Sequence, residues 1–197
     1  MRNIPPKTLV LIGILVTLAV VLLGIAIKLS GTPQNLIPGT TTQTPTPTVA
    51  KTASVTFSPS TLSLNPASNS GTVDIIVDTG NSPITGAQIE ITYDPEVITN
   101  VEVQDPEASN SLLGTPGSYT NLFTDVTTPG KIVFARAISL SGQEANGTGS
   151  VGKISFTATP GTNPTTQLTF GPETAVTTLT TTESILNTTT PLTITLQ

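Results

Sequence analysis

Side chains able to do chemistry are few in this sequence. It contains no histidine and no cysteine, which removes the commonest general base, the thiolate nucleophile and the two side chains most used for transition metals. A serine or cysteine nucleophile activated by histidine cannot be assembled from it. Carboxylates remain. Asp74, Asp78, Asp94, Glu96, Asp105 and Glu107 offer oxygen ligands suited to calcium, but no EF-hand spacing D-x-[DN]-x-[DN]-G occurs. Glycoside hydrolysis needs two opposed carboxylates of unequal pKa, and the acids show no sign of such a pair. Lys153, set among core-forming neighbours, is the only candidate for a Lys–Asn cross-link of the kind found in surface adhesins. The chain reads as non-catalytic, with no cofactor and no metal assigned.

Binding chemistry is better represented. In ITGAQIEITYDPEV, Ile84 to Val97, Ala87, Ile89, Ile91 and Tyr93 alternate with Gln88, Glu90, Thr92 and Asp94. Period-2 alternation of this kind marks a strand with one face in a core and the other in water. The polar row Gln88, Glu90, Thr92 is either a partner-binding face or an ordinary solvated one. Asp94-Pro95-Glu96 ends the strand, because proline fixes φ, donates no hydrogen bond and pushes the residue before it out of the helical region.

Similar short patterns recur from about Ala53 onward between turn signals, as in a sandwich or barrel. Strands are expected near Ser54 to Phe57, Gly71 to Asp78, Gly86 to Tyr93, Val97 to Val103, Leu122 to Asp125, Lys131 to Ile138, Val151 to Ala158, Thr166 to Phe170, Thr174 to Leu179 and Leu192 to Leu196. Abundant threonine with frequent glycine and proline supports an all-β protein. Turns are expected at Thr79-Gly80-Asn81, Thr128-Pro129-Gly130 and Thr159-Pro160-Gly161. Parity predicts a core from Val73, Ile75 and Val77, from Ala87, Ile89, Ile91 and Tyr93, and from Ile132 and Phe134. The later strands add Ile154, Phe156 and Ala158, then Leu168 and Phe170, then Leu192, Ile194 and Leu196. Arg136 shares the inward parity of Ile132 and Phe134.

Residues 8–28 open with TLVLIGILVTLAVVLLGIAI, which carries no charge. At a helical rise of about 1.5 Å per residue this run spans the roughly 30 Å of a hydrocarbon core. It exceeds the usual h-region of a signal peptide and no A-x-A-like cleavage site follows it, so a retained single-pass anchor is expected. Arg2, Lys7 and the amino terminus precede it and only Lys28 follows closely. That bias keeps residues 1–7 cytoplasmic and sends residues 53–197 outside the cell. Between them, residues 29–52 include TTTQTPTPT, a threonine-proline stalk with little to bury that forms a semi-rigid spacer and offers sites for O-glycosylation.

The assembled pattern resembles the cohesin domain. VDIIVDTG, then ITGAQIEITYDPEVITNVEV, GKIVFARAIS, GSVGKISFTATPG and TPLTITL follow one another at the spacing of that family over nearly the whole of Val55 to Leu196. The Tyr-Asp-Pro-x-Val turn at Tyr93 to Val97 is the most specific element. The resemblance implies a nine-stranded jelly-roll β-sandwich whose exposed sheet face holds the dockerin module of a partner protein, often a polysaccharide-degrading enzyme. By that turn, the family's contact positions fall on Gly86, Gln88 and Glu90, on Val133 and Ala135, and on Ser139 just beyond. Ala135 is smaller, and Gln88 less acidic, than the groups a cellulosomal cohesin offers there.

Other partners are constrained by composition. Beyond residue 30, four basic residues face twelve acids, a net charge of −8, and such a surface repels nucleic-acid phosphates. A glycan-binding adhesion module is the alternative function, and a purely structural envelope protein is the third. Sugar platforms rely on exposed aromatic rings. Tryptophan is absent, and with Tyr93 of inward parity, Tyr119 is the main candidate ring.

Overall fold

Threonine and β-branched residues at alternating positions produce strands here and nothing else: among the described residues there is no helix. The computed structural model describes residues 49–65, 67, 69–139, 143–159 and 165–196. The expected anchor at 8–28, nearly all of the stalk at 29–52 and the turn at 159–161 beyond Thr159 lie outside them.

The strands are β1 (Ala53–Ser58), β2 (Thr61–Leu64), β3 (Ser70–Asp78), β4 (Gly86–Thr92), β5 (Ile98–Gln104), β6 (Tyr119–Asp125), β7 (Lys131–Ile138), β8 (Thr148–Ala158), β9 (Thr165–Phe170), β10 (Ala175–Thr177), β11 (Leu186–Thr190) and β12 (Leu192–Leu196). They form two sheets, one ordered β11-β1-β3-β8-β5 and the other β2-β12-β9-β4-β7-β6, with β10 also pairing to β4. Both are mixed, because β11 runs parallel to β1 and β2 parallel to β12. The all-β sandwich is the architecture the resemblance implies. Three short strands, β2, β10 and β11, supplement the nine others. Neither β2 nor β11 is among the expected strands: TLSL in β2 alternates but is only four residues long, and LNTTT in β11 has no apolar alternation and pairs along β1.

The core lies between the sheets as parity predicts. Val73, Ile75 and Val77 of β3 and Ile154 and Phe156 of β8 meet Ile89 and Ile91 of β4, Ile132 and Phe134 of β7, and Leu192 and Ile194 of β12, all buried. Tyr93 and Phe170 are partly buried against this cluster, and Phe170 stacks on Phe57 with ring centroids 4.4 Å apart. Burial of each such side chain stabilises by about 1.5–3 kcal/mol. Its buried members come from both sheets and all fall between Ala53 and Leu196, with Val49 packed partly buried against them, so residues 49–196 hold what independent folding requires.

Two turns explain the strand order locally. After β4, the Asp94 carbonyl accepts from the amides of Val97 (3.2 Å) and Ile98 (2.8 Å), while its carboxylate accepts from the Glu96 amide at 2.9 Å. The chain thus leaves one sheet and starts β5 in the other. Between β3 and β4, Gly80 and Asn81 both take positive φ, 59° and 67°. A Cβ on Gly80 would overlap the Thr52 carbonyl oxygen. Gly80→Ala is therefore expected to destabilise the domain by about 2 kcal/mol or more, read as a lower urea midpoint at unchanged m-value.

Candidate docking face

The outer surface of the β10-β4-β7-β6 sheet region collects the contact positions inferred from the sequence. Register pairs Gly86 with Ala137, Gln88 with Ala135 and Glu90 with Val133, so all these residues share one face. Gly86 starts β4 and is buried; a Cβ there would come within 2.6 Å of the Arg136 carbonyl oxygen. Gln88 is half-buried, its Nε2 donating to the Glu173 carbonyl at 3.1 Å. Val133 and Ala135 are buried, and Ser139 is exposed with its hydroxyl 2.9 Å from that of Thr120.

Glu90 corrects the expected wet row. It is only 4% exposed, because β4 is central and the segment between β9 and β10 crosses its outer face. Gly171 donates to the Glu90 carbonyl (2.9 Å), the Thr174 hydroxyl does the same (3.1 Å), and the Glu173 amide donates to Glu90 Oε2 (2.7 Å). Lys131 Nζ closes the arrangement at 2.8 Å from Oε1. A Cβ on Gly171 would overlap the Glu90 carboxyl group, so glycine is what lets the segment lie so close. Glu90 is a clamp for this strap rather than a free contact.

The Lys131 ammonium, then the Glu173 amide, hold the Glu90 carboxyl below its usual range, against the opposing effect of burial. The same contact raises Lys131. A carboxyl lowered on folding adds stability above its unfolded pKa of about 4.3, and that stability disappears as pH falls through the folded value. A lysine raised on folding adds stability below its unfolded pKa of about 10.4, lost only at higher alkaline pH. Glu90→Gln is accordingly expected to shrink the loss of stability between neutral pH and about pH 3, measured by urea midpoints of both proteins at each pH.

Apolar side chains outside the expected contact set dominate what is open on this face. Leu122 is 60% exposed and Phe123 44%. The doublet arises from a bulge in β6: Asn121 pairs with Arg136 and Phe123 with Ala135, leaving Leu122 as the extra residue. Phe123 and Leu122 thus both serve the outer face, where strict alternation would have turned one inward. Leu122 with Gly86, Ala135 and Ala137 edges a notch of about 140 Å³ that also touches Gln88 and Thr177. The signal available in the sequence is the Leu-Phe pair itself, one apolar residue too many for period 2.

Arg136 holds the bulge from below. It is 3% exposed, as its parity implies, and it reaches into the other sheet. Nε donates to Asn121 Oδ1 (2.6 Å), Nη1 to the Val151 carbonyl (2.7 Å) and Nη2 to the Gln104 carbonyl (3.0 Å). Asp105 pairs with Nη2 at 2.8 Å, and the guanidinium lies 5.4 and 5.6 Å from the ring centroids of Phe134 and Tyr119. Burial pulls its pKa down and Asp105 pushes it back up.

Three other groups of candidate residues have structural partners or positions. Tyr119, the proposed sugar-stacking ring, is 7% exposed at the start of β6, so it presents no platform. Lys153, the cross-link candidate, instead pairs with Glu107 at 2.6 Å on the partly open side of β8. Four of the calcium candidates are engaged singly: Asp78 caps Gly80, Asp94 caps Glu96, Asp105 pairs with Arg136 and Glu107 with Lys153.

Comparison with known proteins agrees with this architecture. The cohesin domain family matches residues 60–196, and the chain belongs to that family, whose members are non-catalytic protein-docking modules. Among solved structures, the cohesin CaCohA2 in its complex with a substituted form of CaDoc0917 is 21% identical, covering 74% of this chain and 100% of that one at a TM-score of 0.61. The solution structure of CaCohA2 from Clostridium acetobutylicum is also 21% identical, with 75% and 92% covered and a TM-score of 0.59. The sixth cohesin of Acetivibrio cellulolyticus scaffoldin B, in complex with a Cel5 dockerin mutant, is 16% identical, with 74% and 99% covered and a TM-score of 0.58. These identities speak to the fold. No curated protein matches the chain.

Proposed function

We propose that this protein is a cell-surface receptor that captures a dockerin module of a partner protein on the outer face of β10-β4-β7-β6. The observation that carries the reading is the exposed Leu122–Phe123 pair beside a notch made by Gly86, Ala135 and Ala137. Adjacent large apolar groups over small ones, rimmed by Gln88, Thr177 and Ser139, have the make-up of an interface core with a polar rim. The apolar run at 8–28 anchors the chain in the cell membrane with residues 53–197 outside, and the threonine-proline stretch holds the domain off the lipid. A link to polysaccharide breakdown follows if the captured partner is a polysaccharide-degrading enzyme.

The test is surface plasmon resonance of residues 49–197 against dockerin modules encoded in the same genome. Saturable binding by at least one is the expected result. Binding by none would leave the structural envelope reading in its place. Location is tested separately by protease added to intact cells, which should degrade the domain. Survival on intact cells with degradation after lysis would place the domain inside.

A further inference from the structure

We infer that the domain carries a second binding site, for a short neutral oligosaccharide, in a cavity at one end of the sandwich. The cavity measures about 700 Å³, within the range of small-ligand sites, against about 140 Å³ for the notch on the docking face. It is walled by the residues entering β1, by the β3–β4 turn, by Glu144 before β8 and by the β10–β11 loop.

Its lining fits one ligand chemistry. The hydroxyls of Ser82, Thr178 and the Thr180–Thr182 run, with Glu144 and Glu183, provide acceptors and rotatable donors. Val49 and Pro83 add apolar surface for ring CH groups. Among the described residues no basic side chain lines the cavity, which disfavours phosphates and acidic sugars. Lys51, whose Nζ donates to the Ser184 carbonyl beside the cavity, offsets part of the carboxylate charge, which weakens the case for a cationic ligand. No aromatic ring is among the described lining residues either, so recognition rests on hydroxyl networks instead of stacking.

The walls are also held in place. Thr52 Oγ1 donates to Ser82 Oγ at 2.9 Å, the amides of Thr52 and Ala53 donate to the Ile185 carbonyl at 2.9 and 3.1 Å, and the Glu183 amide donates to Thr181 Oγ1 at 3.1 Å. A pre-formed open depression loses less on binding than one that must be ordered. The site is independent of the docking reading, since none of Leu122, Phe123, Ala135 or Ala137 lines it.

The test is titration of ¹⁵N-labelled residues 49–197 with cellotetraose, xylotetraose, mannotetraose and maltotetraose, and with trilysine, into the millimolar range. Saturable amide shifts with at least one sugar, centred on Ser82 and residues 180–183, are expected. Glu144→Gln combined with Glu183→Gln, both exposed positions, should weaken that binding about tenfold or more, as loss of charged acceptors does. No saturable response to any of the four sugars overturns the proposal. So does a response that the double variant leaves unchanged, or one given at these residues by trilysine alone.

Discussion

Leu122→Asp is expected to abolish capture of the dockerin partner while leaving the domain folded. Leu122 is 60% exposed in the free domain, and substitutions at such positions usually change stability by no more than about 0.5 kcal/mol. In a complex it would be covered. Burial of a leucine side chain contributes about 1.5–3 kcal/mol, and an aspartate in its place adds an unpaired charge to be desolvated. Affinity should therefore fall at least about 100-fold, with an unchanged urea midpoint. Calorimetry beside an unfolding curve separates the two effects. Equal binding by variant and parent would remove Leu122 from the interface.

Arg136→Met is the second large effect, and it acts through the fold. The guanidinium joins the sheets: its hydrogen bonds reach Asn121 on β6, Val151 on β8 and Gln104 on β5. Methionine fills part of the volume but leaves two carbonyls and an asparagine oxygen without their donor. The Val151 carbonyl is buried, and leaving it without a donor costs about 1–3 kcal/mol; the Asn121 and Gln104 oxygens are only part-buried and add less, so a loss of about 2–4 kcal/mol is expected. Arg136→Lys keeps the charge and at most part of the three-way fork, and should fall between. The second readout is local. With the Asn121 bond gone, the β6 bulge loses its tether, so amide exchange at Leu122 and Phe123 should rise more than the global loss of stability requires. A uniform rise throughout the domain would show that Arg136 serves the core alone.

Much of this is legible in the sequence because it depends on period-2 alternation and on turn chemistry. Ten of the strands, the inward set of β3, β4, β7 and β12, and the burial of Arg136 all follow from parity. What parity cannot convey is which strand lies mid-sheet and what crosses its outer face. Glu90 sits at an outward position yet is buried, since Gly171 admits a strap across it and Lys131 neutralises it. The Leu122–Phe123 pair escapes parity for a related reason. A bulge adds one residue to one strand only, and nothing in a single sequence says against which partner residue the extra one falls. The family contact positions thus fall on the outer face of β4 and β7, but on its floor, Gly86, Val133 and Ala135, and not on the apolar groups standing on it.

Amide-shift mapping of residues 49–197 with a cognate dockerin module tests the central claim most directly. Shifts are expected to concentrate on Gln88, Leu122, Phe123, Ala135, Ala137 and Thr177, with β1, β3 and β8 on the opposite sheet unmoved on their outer side. Shifts confined to the outer face of β11-β1-β3-β8-β5 would contradict it.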